Sequence, residues 1–307
     1  MESFKNLSVL GIIIGIETPE SFARQLDMLL KVGYDYAYIA DNMFSHVREK
    51  GDLPAIRDAL KNSGMKVQSG HFKYLYPGPG HTMEGLKSEH LRDLDTAAEL
   101  GLQCVTTHYL SITKMDTPGF LSDEILAGMR RNWVTGCEPL YHEAFAKLGG
   151  QEAFLEKNNE LFRWLCDEAA QRNLTINIET GTCHLTKTPT QIQEYIRQID
   201  RPNLGICLDS GHSHLFMGDV PGAIRQAGKM LVETHFHDNF ADRDLHRPPG
   251  IGSIDWPEVI CALRDIDFQG PVTFEVGDAA PHESYREQAE VYARNWREFL
   301  HVAAQRE

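Results

Sequence analysis

In the stretch THFHDNFADRDLH (234–246), His235 and His237 lie two residues apart, and Asp244 and His246 repeat that spacing after a short loop. Imidazoles and carboxylates at such spacing can carry protons or hold a divalent cation. The apolar run before them, Met230, Leu231 and Val232, reads as a core strand. Alternate side chains of a strand share a face, so both histidines point to the same side at its end.

Other ionisable residues also come late in strand-like segments: His71 in KVQSGHF, His108 in CVTTHY, Glu179 in LTINIET, Asp209 in LGICLDSGH and Glu275 in PVTFEVG. A carboxylate among Ile, Val and Phe is costly to bury unpaired, and within the strand-like segments the one basic residue is Lys66, at an edge. Three such carboxylates therefore call for a cation. Glu179, Asp209, Glu275 and one of His235 or His237 form a mixed oxygen and nitrogen set. That set suits Mn2+ first, with Mg2+, Co2+ or Zn2+ as alternatives, rather than a thiolate-preferring metal. Asp209 has the alternative of capping a turn at Ser210-Gly211, and His71 and His108 that of hydrogen-bonded core histidines.

The elements that must position these groups alternate along the chain. Eight strand-like segments (7–16, 34–41, 66–72, 104–109, 174–180, 204–212, 231–239 and 271–277) are separated by amphipathic stretches. Such alternation predicts an α/β fold with a parallel sheet, here a (β/α)8 TIM barrel spanning 1–307 as one domain. The carboxyl ends of all strands then meet at one face, where barrel enzymes keep their active sites. Helix starts are legible at Thr18-Pro19, Thr188-Pro189-Thr190-Gln191 and Asp255-Trp256-Pro257-Glu258. Residues 111–150 break the rhythm as an insertion after strand 4. Met115, Phe120, Trp133 and Tyr141 make it too apolar for a disordered linker and suit a partly helical cover of the strand ends or a subunit contact.

Composition narrows the function. A formal net charge of −14 repels phosphate backbones, so no nucleic-acid partner is expected. The six cysteines form no CxxC pair and read as reduced core thiols. No apolar window long enough for a membrane span and no signal-peptide pattern occur, which predicts a cytoplasmic protein acting on small molecules; a homo-oligomer is allowed.

The motifs INIET (176–180), CLDSGH (207–212), HFHDN (235–239), PPGIGSIDW (248–256) and VTFEVG (272–277) together resemble the xylose-isomerase-like TIM-barrel superfamily of sugar isomerases and epimerases, which includes inosose dehydratases and endonuclease IV. The resemblance implies Glu179, Asp209, His237 and Glu275 as metal ligands, with members using either same-face histidine of HFH. It implies His212 and Arg243 as substrate contacts, with His71, His108, His235, Asp244 and His246 as further substrate-hydroxyl contacts or ligands of a second metal. Glu179 and Glu275 would also be the catalytic acid and base. The implied activity is a metal-dependent isomerase or epimerase acting on a sugar, keto-sugar or cyclitol. A lyase or dehydratase on a keto-sugar or inosose is the alternative, ahead of a non-catalytic carbohydrate-binding barrel or an endonuclease IV-like phosphodiesterase. The chain departs from ketose 3-epimerases at Leu185, where they carry a second glutamate, and at Asn239-Phe240-Ala241-Asp242, where they have Gly-Glu-x-Asn.

Overall fold

Local chemistry sets the first βα unit. The Thr18 hydroxyl accepts from Ser21 N–H at 3.1 Å while Ser21 Oγ accepts from Thr18 N–H at 3.0 Å, and Pro19 follows the cap. Helix α1 (Pro19–Val32) ends where Gly33 turns left-handed, with φ 97°. Thr188 and Gln191 build the same reciprocal cap on a later helix.

The computed structural model describes residues 5–72, 82–109, 145–181, 185–277 and 283–306. After β1 (Leu10–Ile14) and α1 come β2 (Tyr36–Ile39), α2 (Asp41–Lys50), α3 (Leu53–Ser63), β3 (Lys66–His71), α4 (Met83–Leu100) and β4 (Cys104–Thr107). The second half runs through α5 (Gln151–Ala170), β5 (Thr175–Glu179), α6 (Pro189–Ile199), β6 (Leu204–Asp209), α7 (Ser210–Met217) and α8 (Val220–Ala227). It ends with β7 (Leu231–His235), α9 (Trp256–Asp265), β8 (Val272–Phe274) and α10 (Glu283–Ala304). The expected insertion falls mostly within 110–144, outside the described residues. Helix α2 was not foreseen, although Met43, Phe44 and Val47 make its buried face and Gly51 its left-handed stop.

The strands lie in the order β7-β6-β5-β4-β3-β2-β1-β8, and neighbours in that order pair in parallel. Phe236 closes the ring between β7 and β8. Its N–H donates to Thr273 O at 2.9 Å and its carbonyl accepts from Glu275 N–H at 3.2 Å. This is the predicted TIM barrel. Helix α10 is bolted to the first strand's surroundings by Trp296 Nε1 donating to Leu7 O at 2.9 Å and Tyr285 Oη donating to Ile13 O at 2.5 Å. Cys104, Cys166, Cys207 and Cys261 are free and buried, as expected; Cys137 and Cys183 lie outside the described residues. No helix among the described residues is long and apolar enough to cross a membrane.

Phe236 also fills the space under the closure, 5.5 Å from the Trp256 ring and 5.8 Å from Trp296 between centroids. Truncation there should leave a cavity at the seam. Phe236→Ala is expected to cost about 3–5 kcal/mol in denaturant unfolding. An unchanged unfolding midpoint would show that the closure does not depend on this ring.

Candidate metal centre and active site

The strand ends deliver the predicted groups to one mouth of the barrel. His71, Glu179, Asp209 and His235 are the last residues of β3, β5, β6 and β7, while His108 and Glu275 each follow their strand by one. Glu179 is 2% exposed, and Asp209 and His235 are fully buried.

Glu179 is the hub. Its Oε2 lies 3.0 Å from His71 Nε2 and 3.1 Å from His108 Nε2, and its Oε1 lies 3.3 Å from His235 Nδ1 and 3.7 Å from His212 Nδ1. The His71 ring is fixed by its own neighbour: Nδ1 stands 2.8 Å from Phe72 O, so that nitrogen must carry the hydrogen. A neutral His71 would then aim a lone pair at a carboxylate oxygen. Only a proton or a metal cation between them makes the contact favourable, and metal-ligating histidines commonly hold a carbonyl through the other nitrogen. Burial pushes His108 down to about 4, against the pull of Glu179, so it is neutral at physiological pH and offers a lone pair.

The structure brings His235, rather than His237, into the set with Glu179, Asp209 and Glu275, whose ligand atoms all lie within 4.8 Å of one another. Strand register is the reason: Asp209 of β6 sits beside His235 of β7, and His237 lies two residues further along. His235 Nδ1 is 3.0 Å from Glu275 Oε2, yet neither ring nitrogen of this buried residue makes a well-aligned hydrogen bond. Burial works against charge on every member. The imidazoles around Glu179 nonetheless hold its carboxyl well below the usual range, His235 brings Glu275 down to about 2, and the surrounding groups raise His235 well above an ordinary histidine. Without a metal, an imidazolium supplies the positive charge. Three carboxylates, an imidazole and orphaned ring nitrogens fit a divalent cation.

A second cluster adjoins the first. His237, Asp244 and His246 also group within 4.8 Å, with the His237 and His246 rings stacked at 4.0 Å. Asp244 Oδ2 is 3.1 Å from His246 Nε2 and 3.3 Å from His212 Nε2. His212 Nδ1 donates to Thr180 O at 2.9 Å, which aims Nε2 at Asp244. Burial disfavours a charged His246, but Asp244 and Glu275 raise it to about 9; Asp244 is held well below the carboxylate range, burial again being outweighed, by His212 and His246.

Asp209 serves both clusters. Its Oδ1 caps α7 by accepting from His212 N–H at 2.7 Å, and its Oδ2 stands 3.0 Å from His237 Nε2. The strand expected over 204–212 therefore ends at Asp209, with SGH opening a helix. Gly211 makes room there: a Cβ would fall 1.9 Å from the His237 ring. Arg243 does not converge on the site, its side chain being 70% exposed and 3.7 Å from Asp242. Sequence reasoning missed Tyr38, whose ring meets His235 edge-on at 4.8 Å, and Asp238, whose partners lie far downstream. His184 and His282 lie outside the described residues.

A metal taken up by this set must displace a proton from His235, whose hold on a proton the surrounding groups raise well above that of an ordinary histidine, against its burial. Affinity should thus rise with pH, the sign expected for histidines whose values are raised. Titration calorimetry with Mn2+ or Co2+ in buffers of different ionisation heat is expected to show about one proton or more released per metal at pH 7. Affinity independent of pH between 6 and 8 would contradict the charge assignment.

The geometry agrees with the comparisons with known proteins. An uncharacterized protein, y4fM, of Sinorhizobium fredii is 30% identical over 270 residues, covering 83% of this chain and 81% of its own. The D-psicose 3-epimerase of Agrobacterium fabrum is 25% identical over 263 residues, covering 84% and 80%. In fold, a structure of D-psicose 3-epimerase with D-tagatose from Clostridium cellulolyticum H10 superposes with a TM-score of 0.67 at 18% identity, over 97% of this chain and 98% of that one. The family model described as xylose isomerase-like TIM barrel matches residues 26–295, and the chain belongs to that family.

Proposed function

We propose that this protein is a divalent-metal-dependent isomerase or epimerase acting on a sugar, keto-sugar or cyclitol. The observation that carries the reading is the convergence of the buried Glu179, Asp209 and His235 and the half-buried Glu275 on one point at the barrel mouth. The D-psicose 3-epimerase similarity supports the reaction class. These four residues would hold the cation, Mn2+ first, with His237 bordering the set through Asp209.

Bound there, a divalent cation supplies Lewis acidity towards a substrate carbonyl and its adjacent hydroxyl. Glu179 and Glu275 reach the same imidazole nitrogen, His235 Nδ1, from opposite sides of β7 in the barrel order. A substrate carbon above them would face two carboxylates, one to accept the proton next to the carbonyl and the other to return it. Delivery to the opposite face gives epimerisation. His212 and His246, whose raised values leave hydrogens to donate, and Asp244, an acceptor, would orient hydroxyls. His71 and His108 would steady Glu179 from the other side. A lyase or dehydratase would share the proton abstraction and part from this course by expelling a β-substituent, which the product's mass reveals.

Metal-replete protein incubated in D2O with a panel of keto-sugars and inososes should place about one deuteron per turnover on the carbon next to the carbonyl. Glu275→Gln keeps an oxygen ligand and the shape while removing the proton acceptor. It should retain near-normal metal content and lose about 10²–10⁴ in rate. Recovery of wild-type turnover in excess Mn2+ would make Glu275 a ligand only and end the two-carboxylate mechanism.

A further inference from the structure

We infer that Asp238 is a positioning residue that sets where Asp244 and His246 stand. It directly follows His237 in the HFHDN motif, yet it takes no part in either cluster. Its fully buried carboxylate is filled by N–H donors instead. Oδ1 accepts from Asn239 N–H at 2.9 Å and Ile254 N–H at 3.3 Å; Oδ2 accepts from Gly250 N–H at 2.8 Å and the Trp256 indole at 2.8 Å. A carboxylate with four donors has no lone pair left to aim at a metal or a substrate.

The donors show what the contact is for. The main chain of Asp238 exchanges both hydrogen bonds with Arg247, at 2.7 and 3.0 Å, which closes residues 239–246 into a loop. His246 is the residue just before that bridge, and Asp244 precedes it by two. Beyond the bridge, residues 250–256 fold back onto the same carboxylate, so tightly that a Cβ on Gly252 would sit 2.2 Å from Oδ1. His246 itself has a left-handed backbone, φ 44°, which a histidine keeps only where its surroundings over-determine it. Two constraints do so here. Asp238 holds the bridge on one side, and Tyr292 Oη donates to His246 O at 2.8 Å on the other, close also to Glu275 O at 3.2 Å.

An asparagine at 238 has nearly the same shape but presents an NH2 where one oxygen was. Whichever way it turns, two of the four N–H groups face a donor. The loop should loosen while the cation set, carried on the ends of β5 to β8, stays. The link to substrate rests on the proposed function; the structural arms of the test do not.

The experiment compares Mn2+-loaded wild type with D238N, using W256F, which removes one of the four donors together with part of a ring packed on Phe236 and Trp296, as a second variant. Amide exchange at Arg247, Gly250 and Ile254 should quicken by about tenfold or more in D238N, with β5 and β6 unaffected. Mn2+ affinity should be unchanged. On any substrate turned over, kcat/KM should fall by about 10- to 100-fold, the range for residues that support a site from behind. Adding His246→Ala to D238N should cost little more than His246→Ala alone, because both remove the same contact. Wild-type exchange rates in D238N, or Mn2+ loss in proportion to activity, would overturn the inference. Loosened exchange in a protein whose wild type turns over no keto-sugar would support the positioning role and count against the proposed function alone.

Discussion

Glu179 is a carboxylate buried at the end of a core strand and ringed by four imidazoles, from β3, β4, β7 and the start of α7. An anion in such a place must be compensated or it unfolds the strand end around it. The histidines can do this as imidazoliums, and His235 and His212 are raised in that direction despite their burial. His71 shows the limit of the arrangement, since its tautomer is set by Phe72 O and its remaining nitrogen must face the carboxylate across a proton or a cation. The cluster at the mouth of this barrel is consistent with a divalent-metal site for the same electrostatic reason.

A further carboxyl lies in the layer beneath. Glu233, two residues before His235 on β7, is fully buried, and its Oε1 accepts a hydrogen bond from Thr273 Oγ1 at 2.6 Å. Burial raises its carboxyl, against the effect of His235 and of its hydrogen-bonding neighbours. The loop that carries Asp244 and His246 is held by the Asp238–Arg247 bridge and by Tyr292, together with the contacts of Asp244 to His212 and His246 and the stacking of His246 on His237.

Much of this was legible in the sequence. Strand period and turn residues located all eight strands, and the convergence of Glu179, Asp209 and Glu275 followed from strand ends meeting at one face. The choice between His235 and His237 was not legible, because both share a face and only register against Asp209 separates them. Arg243 illustrates a different limit: the family resemblance implies a substrate contact there, but a position along a loop does not fix direction, and the side chain turns outward. The capping alternative for Asp209 at Ser210-Gly211 is borne out, its side chain accepting from the His212 amide, whereas the apolar run before it suggests a strand that continues to 212. Asp238 escaped notice because its partners lie as far on as Trp256.

The central claim is that one divalent cation belongs among Glu179, Asp209, His235 and Glu275. The most direct measurement is an anomalous difference map, recorded at the manganese absorption edge, from crystals of active protein grown with Mn2+. The account predicts a peak within about 2.2 Å of carboxylate oxygens from Glu179, Asp209 and Glu275 and of one His235 nitrogen. Featureless density at that point in crystals of fully active protein would contradict it.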